Sequence, residues 1–331
     1  MGIGLNCVLC NKPISEKESH ALTFNLNFDH NLKLNALKIL KAYRKYKERK
    51  NINNKKIDDF QTFISLVQRF SSPNELVEQI YSTLSPFNYD INSITNCHIL
   101  KLEKEVIDNT CVYLGYWLNG KRDGIGAQIW IDGSKFEGAW KDNVTEGKGR
   151  LIHADGDVYE GDWKNNKAEG YGVYSHIDGS KYTGEWKNDK QSGKGMETWL
   201  DGGFFEGSYF DGKKEGYGIF KWSDGAIYKG NFKGNTIEGY GVYSWNDGRM
   251  YEGDWINNKM QGKGVFSWKD GRRYVGEYND DKKHGYGILT WPDGRYYEGP
   301  WINGKQHGMG YYSGPKEEKK MCKWIEGKMI E

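Results

Sequence analysis

Two cysteines close to the N-terminus have the spacing of metal ligands. Cys7 and Cys10 are separated by two residues, and thiolates spaced in this way hold zinc in many small sites. A tetrahedral site needs two further ligands. No second cysteine pair follows, and His20 and His30 are too loosely placed to complete a convincing set. We therefore expect neither a metal nor another cofactor.

Catalytic side chains are no better organised in the rest of the chain. The histidines of the repeats lie in different repeats and form no evident triad with Cys or Ser: His153, His176, His284 and His307. Gly-x-Gly pairs such as residues 124–126 lie inside predicted strands, whereas a phosphate-binding loop joins a strand to a helix. The sequence predicts that the protein is not an enzyme.

The residues that do recur with regular spacing are aromatic. An aromatic residue followed two residues later by glycine recurs every 23 residues, and we number each repeat from it as position 1. These residues are Tyr113, Phe136, Tyr159, Tyr182, Phe205, Tyr228, Tyr251, Tyr274 and Tyr297. Position 5 is also aromatic: Trp117, Trp140, Trp163, Trp186, Tyr209, Phe232, Trp255, Tyr278 and Trp301, with Trp324 in a truncated tenth repeat.

Two turn sites divide every repeat into two strands. Positions 7 and 8 hold only Gly, Asn or Asp in all nine repeats, as in Asn119-Gly120. The first eight repeats also close on Asp-Gly, as in Asp132-Gly133. Both pairs suit a two-residue hairpin loop of type I′, in which both central residues have positive φ. The pattern predicts a continuous antiparallel meander of hairpins.

The predicted hairpin also assigns neighbours across the strands. Position 3 should face position 12, and the aromatic residue at position 1 should face the glycine at position 14, so that Phe205 lies across Gly218. Positions 16 and 18 add rings to the same face. We predict that the tryptophans at position 18 include partner contacts; the alternative is that they stack on each other in place of a second layer. They are Trp199, Trp222, Trp245, Trp268 and Trp291.

Composition divides the chain near residue 110. All 13 Trp follow that point, together with 42 of the 44 Gly. We predict an N-terminal helical region over residues 1–110 and a repeat array over residues 111–331.

The formal net charge of +2 gives no support to a general nucleic-acid binder. Five scattered cysteines, with no signal peptide and no apolar run of membrane length, predict a reduced intracellular protein.

The spacing of apolar residues predicts a basic amphipathic helix over residues 31–50. Nine basic residues lie within residues 38–56, against one acidic residue. The segment that starts at Ile39 resembles the IQ motif, which implies that a calmodulin-like EF-hand protein binds through Ile39, Arg44 and Arg49. The alternative is a helix that packs on the protein's own repeats.

Two more helices are predicted before the repeats. One spans about residues 58–70, where the apolar side chains fall on one side. The next begins at Ser72, which would cap it, with Glu75 completing a capping box, and runs to Leu84. We expect this small helical region to cover the first, otherwise unpaired strand of the repeat sheet.

The repeat resembles the MORN (membrane occupation and recognition nexus) repeat. In the third repeat the resemblance lies in residues 159–163 (Tyr-Glu-Gly-Asp-Trp), Lys167, residues 169–172 (Glu-Gly-Tyr-Gly) and residues 178–179 (Asp-Gly). It covers residues 113–328. The resemblance implies a mainly β fold, an extended single-layer twisted antiparallel β-sheet solenoid with a small N-terminal α-helical region, and it implies no catalytic activity.

The resemblance also implies a function. Similarity to MORN proteins of radial-spoke heads implies a structural scaffold of the cytoplasm and cytoskeleton, at the axoneme of a cilium or flagellum, whose partners are protein subunits of that assembly. The alternative is a peripheral membrane or cortical scaffold that binds anionic lipid through the basic helix, with acylation near Cys7. An enzyme-regulating module would need a catalytic domain in the same chain, and the sequence contains none.

Overall fold

The computed structural model describes residues 60–89 and 101–330. The basic helix predicted over residues 31–50 and the pair Cys7 and Cys10 lie outside the described residues. The helix and strand assignments below refer to the described residues alone.

The chain divides into two compact units, which we describe separately. The first unit extends to Lys190, and the second begins at Gln191 and continues through the remaining repeats. The boundary predicted from composition at residue 110 falls inside the first unit. That boundary separates two compositions, and it stays a prediction.

Two helices precede the strands in the first unit, α1 (Phe60–Gln68) and α2 (Glu75–Thr83). The antiparallel strands follow in chain order: β1 (Lys101–Ile107), β2 (Cys111–Leu118), β3 (Lys121–Trp130), β4 (Lys135–Lys141), β5 (Val144–Ile152), β6 (Val158–Lys164), β7 (Lys167–Ser175), β8 (Lys181–Lys187), β9 (Lys190–Thr198), β10 (Phe204–Phe210), β11 (Lys213–Lys221), β12 (Ile227–Lys233), β13 (Thr236–Ser244), β14 (Met250–Ile256), β15 (Lys259–Ser267), β16 (Arg273–Asn279), β17 (Lys282–Thr290), β18 (Tyr296–Ile302), β19 (Lys305–Gln306), β20 (Gly308–Ser313), β21 (Lys320–Ile325) and β22 (Lys328–Met329). Within each unit, consecutive strands pair as a meander. The mainly β, antiparallel prediction is confirmed.

The turn at positions 7 and 8 has the predicted conformation, whereas the Asp-Gly turn does not. Both residues of the first turn have positive φ, for example Asn119 (52°) and Gly120 (76°). In the sixth repeat, Trp245 and Arg249 instead bracket a three-residue loop, because the Trp245 N–H donates to the Arg249 carbonyl at 2.9 Å. Only Gly248 in that loop has positive φ, 90°. The loop aspartate accepts the Arg249 N–H at 3.0 Å, so it stabilises the loop without a left-handed backbone.

Beside the turn the register of the first hairpin is as predicted, whereas beyond position 4 it differs from the prediction by two residues. Gly115 pairs with Gly126 and Tyr113 with Gln128, so position 3 faces position 14 and position 1 faces position 16. An irregularity between positions 3 and 5 produces this shift. Gly124 at position 12 has a φ of 94°, a conformation that bulges the strand and favours glycine. Because the shift is even, every side chain remains on its predicted face.

Aromatic rings lie over a row of glycines on one face, which we call the aromatic face. A Cβ added to Gly218 would lie 2.5 Å from Cε2 of Phe205, so only glycine leaves room for this ring. The same ring meets two position 5 rings edge-on, Tyr209 at 5.4 Å and Phe232 at 5.1 Å. The predicted packing of an aromatic ring over glycine is confirmed, although the ring reaches the glycine diagonally.

The two helices lie on the opposite face of the first unit. We call this the outer face; it carries positions 2, 4, 13, 15 and 17. Phe63 of α1 is buried in one cluster with Leu114 and Ile125, and Val77 of α2 is buried with Ile152. The strand β2 already pairs along its length with β1. The helices therefore cover a face, and the prediction that they cover an unpaired strand is wrong.

The start of α2 also differs from the prediction. Asn74 is the N-cap, because its side-chain oxygen accepts the N–H groups of Leu76 at 3.0 Å and Val77 at 3.4 Å. Ser72 accepts the Asn74 N–H at 3.1 Å, and its hydroxyl donates to the Gly133 carbonyl at 2.5 Å. The serine fastens the helix start to an Asp-Gly loop of the sheet.

Candidate interaction surfaces

The polar atoms of the rings at positions 1 and 5 form hydrogen bonds within the sheet. The Tyr159 hydroxyl donates to the Asp162 carbonyl at 2.9 Å. The indole N–H of Trp163 donates to the carbonyl of Gly149, in the preceding repeat, at 3.0 Å. Burial raises the pKa of Tyr159 well above its usual value, so the hydroxyl remains a donor. The position 5 indole therefore joins neighbouring repeats, whereas the position 1 hydroxyl bonds within its own repeat.

The position 18 tryptophans form a partly buried row in the second unit. Four of them alternate with position 16 rings in one continuous path: Trp199, Phe220, Trp222, Tyr243, Trp245, Phe266 and Trp268. The Trp222 ring lies 4.4 Å from Phe220 and 5.0 Å from Tyr243. The guanidinium of Arg295 lies 5.2 Å from the ring of Trp291. These contacts stabilise the row, and its use by partners stays a prediction.

The outer face of the second unit exposes a row of tyrosines at position 13. The exposed fractions are 57% for Tyr217, 53% for Tyr240 and 49% for Tyr286, and we call these residues the outer tyrosine row. Glu206 and Glu252 at position 2 lie on the same face, and the Tyr240 hydroxyl donates to Glu252 at 2.8 Å. This face combines exposed aromatic surface with carboxylates.

The same positions are buried beneath the helices at the start of the first unit, whereas Tyr171, in its third repeat, is 55% exposed. Ile125, at position 13, is 1% exposed. Glu137 at position 2 pairs with Arg150 at position 15 across β4 and β5, with 3.2 Å between the charged groups, and both side chains are almost fully buried. Tyr89 donates its hydroxyl to Glu137 at 2.9 Å. Burial raises the pKa of the Glu137 carboxyl, although Arg150 opposes that shift.

Position 8 has a second role beyond its turn. The Asn166 side chain accepts the N–H of Thr145, in the preceding repeat, at 2.8 Å, and the Asn258 side chain accepts that of Ile237 at 2.7 Å. Where position 8 is glycine this bond is lost, and Gly212 keeps only the backbone bond to Gln191, at 2.9 Å. The turn residue therefore also joins consecutive repeats.

The histidines are dispersed in the structure. His176 contacts the Asp157 carboxylate at 2.8 Å, and that carboxylate also accepts the Tyr174 hydroxyl at 2.9 Å. Burial lowers the pKa of His153, which lies beside Tyr174. Among the described residues, no group of three or more His, Cys, Asp or Glu side chains could hold a metal ion. The described helices are too short to cross a membrane.

Sequence reasoning missed the outer tyrosine row. Its signal was present, because tyrosine recurs at position 13 in four repeats, beginning with Tyr171. The apolar outer positions of the first repeat, such as Leu114 and Ile125, were the corresponding signal for the helices. The predicted EF-hand contacts at Ile39, Arg44 and Arg49 lie outside the described residues.

The repeat geometry defines a tandem-repeat β protein, and comparison with known families gives its class. The family model described as "MORN repeat" matches nine consecutive segments, residues 113–135, 136–158, 159–181, 182–204, 205–227, 228–248, 251–272, 274–294 and 297–317. These segments cover more than half of the chain, so the protein belongs to the MORN-repeat family. No curated protein sequence matches the chain.

Solved structures resemble the fold only weakly. The TCP10 domain of Danio rerio CPAP is 11% identical, with a TM-score of 0.35 over 66% of this chain and 98% of that chain. A CPAP G-box domain is 12% identical, with a TM-score of 0.34 over 60% and 97%. Virginiamycin B lyase from Staphylococcus aureus is 13% identical, with a TM-score of 0.13 over 70% and 72%. Similarities of this size support no conclusion about function.

Proposed function

We propose that this MORN-repeat protein is a non-enzymatic scaffold that binds helical segments of other proteins on the outer face of its second unit. One observation carries this proposal. The repeat positions that contact α1 and α2 in the first unit recur in the second unit with exposed tyrosines. A sheet face of the same geometry is thus open where another helix could lie.

The chemistry of this face specifies the partner. The outer tyrosine row offers large rings that lose little side-chain entropy when they are covered. Glu206 and Glu252 add negative charge on the same face. A complementary helix has an apolar stripe flanked by Lys or Arg, because these cations would meet the carboxylates at the rim.

Cross-linking mass spectrometry after native affinity purification tests the surface. We expect proteins recovered with the full chain to cross-link to Lys229 and Lys263, which lie on the outer face at positions 2 and 13. Changing Tyr217, Tyr240 and Tyr286 together to Ser should abolish their recovery. Tyr171→Ser is the matched control, since it changes the same residue type at the same repeat position in the first unit. Undiminished recovery by the triple variant would refute this surface.

The cellular setting that we propose is the axoneme of a cilium or flagellum, in a radial-spoke-type assembly. Its support is the resemblance of the uninterrupted repeats to axonemal MORN proteins, an argument from family analogy. A tagged chain in ciliated cells should remain with the axoneme after detergent extraction and should recover axonemal subunits. Release with the soluble fraction, together with recovery of membrane-junction proteins, would contradict this setting.

The alternative is a peripheral membrane or cortical scaffold, which is favoured by the nine basic residues within residues 38–56. A peptide of residues 31–52 separates it from the EF-hand prediction. Binding to calmodulin that is lost with Ile39→Asp and Arg44→Glu supports the EF-hand partner. Binding to anionic vesicles without calmodulin binding supports the membrane instead.

A further inference from the structure

An unusual lysine lies on the aromatic face of the second unit. The Nζ atom of Lys283, at repeat position 10, lies 4.7 Å from the ring centroid of Trp268, 5.1 Å from Tyr274 and 4.9 Å from Trp301. The side chain is partly exposed. No ion pair joins Lys283 to a carboxylate among the described residues. Three rings are therefore the main surroundings of this amine.

A second lysine provides an internal comparison. Lys214 occupies the same repeat position three repeats earlier, with its Nζ 5.0 Å from the ring centroid of Phe205. In contrast to Lys283, its ammonium forms an ion pair with Glu197 at 2.7 Å. Glu197 stands at position 16 of the preceding repeat, and the corresponding residue before Lys283 is Phe266. One repeat position therefore decides whether the lysine has a carboxylate partner.

The missing carboxylate changes the balance between the charged and the neutral amine. Burial removes hydration from an ammonium, and cation–π contacts with the surrounding rings replace only part of it. Burial, with a smaller contribution from the nearby Arg272, lowers the pKa of Lys283 to about 8. At pH 7.5 a lysine with such a pKa holds a free amine far more often than an ordinary lysine does.

We propose that Lys283 is a site of N-acylation by acyl thioesters. The amine nitrogen attacks the thioester carbonyl carbon, a C–N bond forms and the C–S bond breaks. The sulfur leaves as the thiol, with the proton that the nitrogen loses. The product is a neutral amide, which suits surroundings where a charge is poorly hydrated. This site is separate from the outer face, so the inference does not depend on the proposed function.

The test uses the full chain, acetyl-coenzyme A as the thioester and mass spectrometry of peptides over time at pH 7.5. We expect Lys283 to acquire the acetyl group at least tenfold faster than Lys214. Glu197→Gln should raise the rate at Lys214, because it removes the carboxylate without changing the size of the side chain. Phe266→Glu should lower the rate at Lys283, because it supplies the carboxylate.

Two outcomes would overturn the proposal. One is an equal rate at Lys283 and Lys214 in the unchanged chain, and the other is an unchanged rate at Lys214 in Glu197→Gln. Phe266 contacts neighbouring rings, so thermal melting must show that Phe266→Glu is folded before its rate is compared. If Phe266→Glu unfolds, Glu197→Gln decides the test. The Glu197 side chain is only partly buried, so its replacement should leave the fold intact.

Discussion

The outer face is buried beneath α1 and α2 at the start of the first unit and open in the second unit, although both units are built from the same repeat. In β4 six consecutive residues are buried, whereas burial in β12 alternates with exposure. The repeat fixes the backbone and the aromatic face in both units. Side chains at the outer positions differ: positions 2 and 13 hold Leu114 and Ile125 in the first unit, against Glu206 and Tyr217 in the second. What covers the sheet is therefore decided at positions that the repeat leaves variable.

The largest expected effect comes from removing a buried ring between α1 and the outer face of the first unit. Phe63→Ala removes a ring that is 0% exposed, and we expect it to lower the free energy of unfolding by about 3–5 kcal/mol. Tyr217→Ala on the open face should change it by no more than about 0.5 kcal/mol. Chemical denaturation of both variants measures the difference. Equal losses would mean that the outer tyrosines are structural, and the distinction between the two faces would fail.

The buried ion pair offers a test through pH. Arg150→Met leaves the Glu137 carboxylate buried without its cation, which should cost about 3 kcal/mol at pH 7. The pKa of Glu137 is already raised by burial and would rise further. The unfolded chain then releases this proton above its ordinary pKa of 4.5 while the folded chain keeps it, so the destabilisation should grow as pH rises.

Melting curves of Arg150→Met between pH 4.5 and pH 8 check this sign. Lys229→Met is the control, because it removes an exposed cation at position 2 of the open face. A loss that is independent of pH would show that the variant acts through packing and not through the Glu137 proton.

Substitutions on the aromatic face should destabilise both units to a similar extent, because this face is built in the same way in each. Gly218→Val in the second unit and Gly172→Val in the first would each place a side chain where a position 1 ring lies, at 2.5 Å from Phe205 in the former case. We expect each to lose roughly 1–3 kcal/mol or more. Ile219→Val, one residue away on the outer face, should be mild. Retained stability in either glycine variant would contradict the ring-over-glycine packing.

The tryptophan row tests whether the second unit also binds through its aromatic face. If Trp245 contacts a partner, Trp245→Ala should weaken partner binding by about 2 kcal/mol and leave the melting temperature unchanged. The neighbouring rings, 4.5 Å away at Tyr243 and 5.3 Å away at Phe266, support the opposite outcome. A lower melting temperature with normal binding would assign the row to stability.

The smallest expected effect is a gain in stability, from a substitution in the turn at positions 7 and 8. Gly212 has a φ of 77°, which Asn tolerates, and a Cβ there would meet no atom within 4 Å. Gly212→Asn would supply the side-chain acceptor that Asn166 and Asn258 provide elsewhere, stabilising the second unit by about 0.5–1 kcal/mol. Gly212→Ala should destabilise it, because alanine keeps the unfavourable φ without the acceptor. Thermal melting distinguishes the two.

Local chemistry was enough for part of the fold. The turn at positions 7 and 8 follows from residues that accept positive φ, and the two faces follow from the alternation along a strand. The same reasoning failed for the register. Gly124 could equally be a flat strand residue, and the φ of 94° that creates the bulge becomes necessary only when two strands meet.

The sequence by itself determined a 23-residue β repeat, its aromatic face and its family, because these depend on spacing within one repeat. Only the tertiary structure decided that α1 and α2 lie on the outer face, and that position 8 joins consecutive repeats. It also decided that Lys283 lacks the carboxylate that Lys214 has. Each of these depends on residues from different elements or repeats brought within a few ångströms, and a spacing pattern contains no such distance.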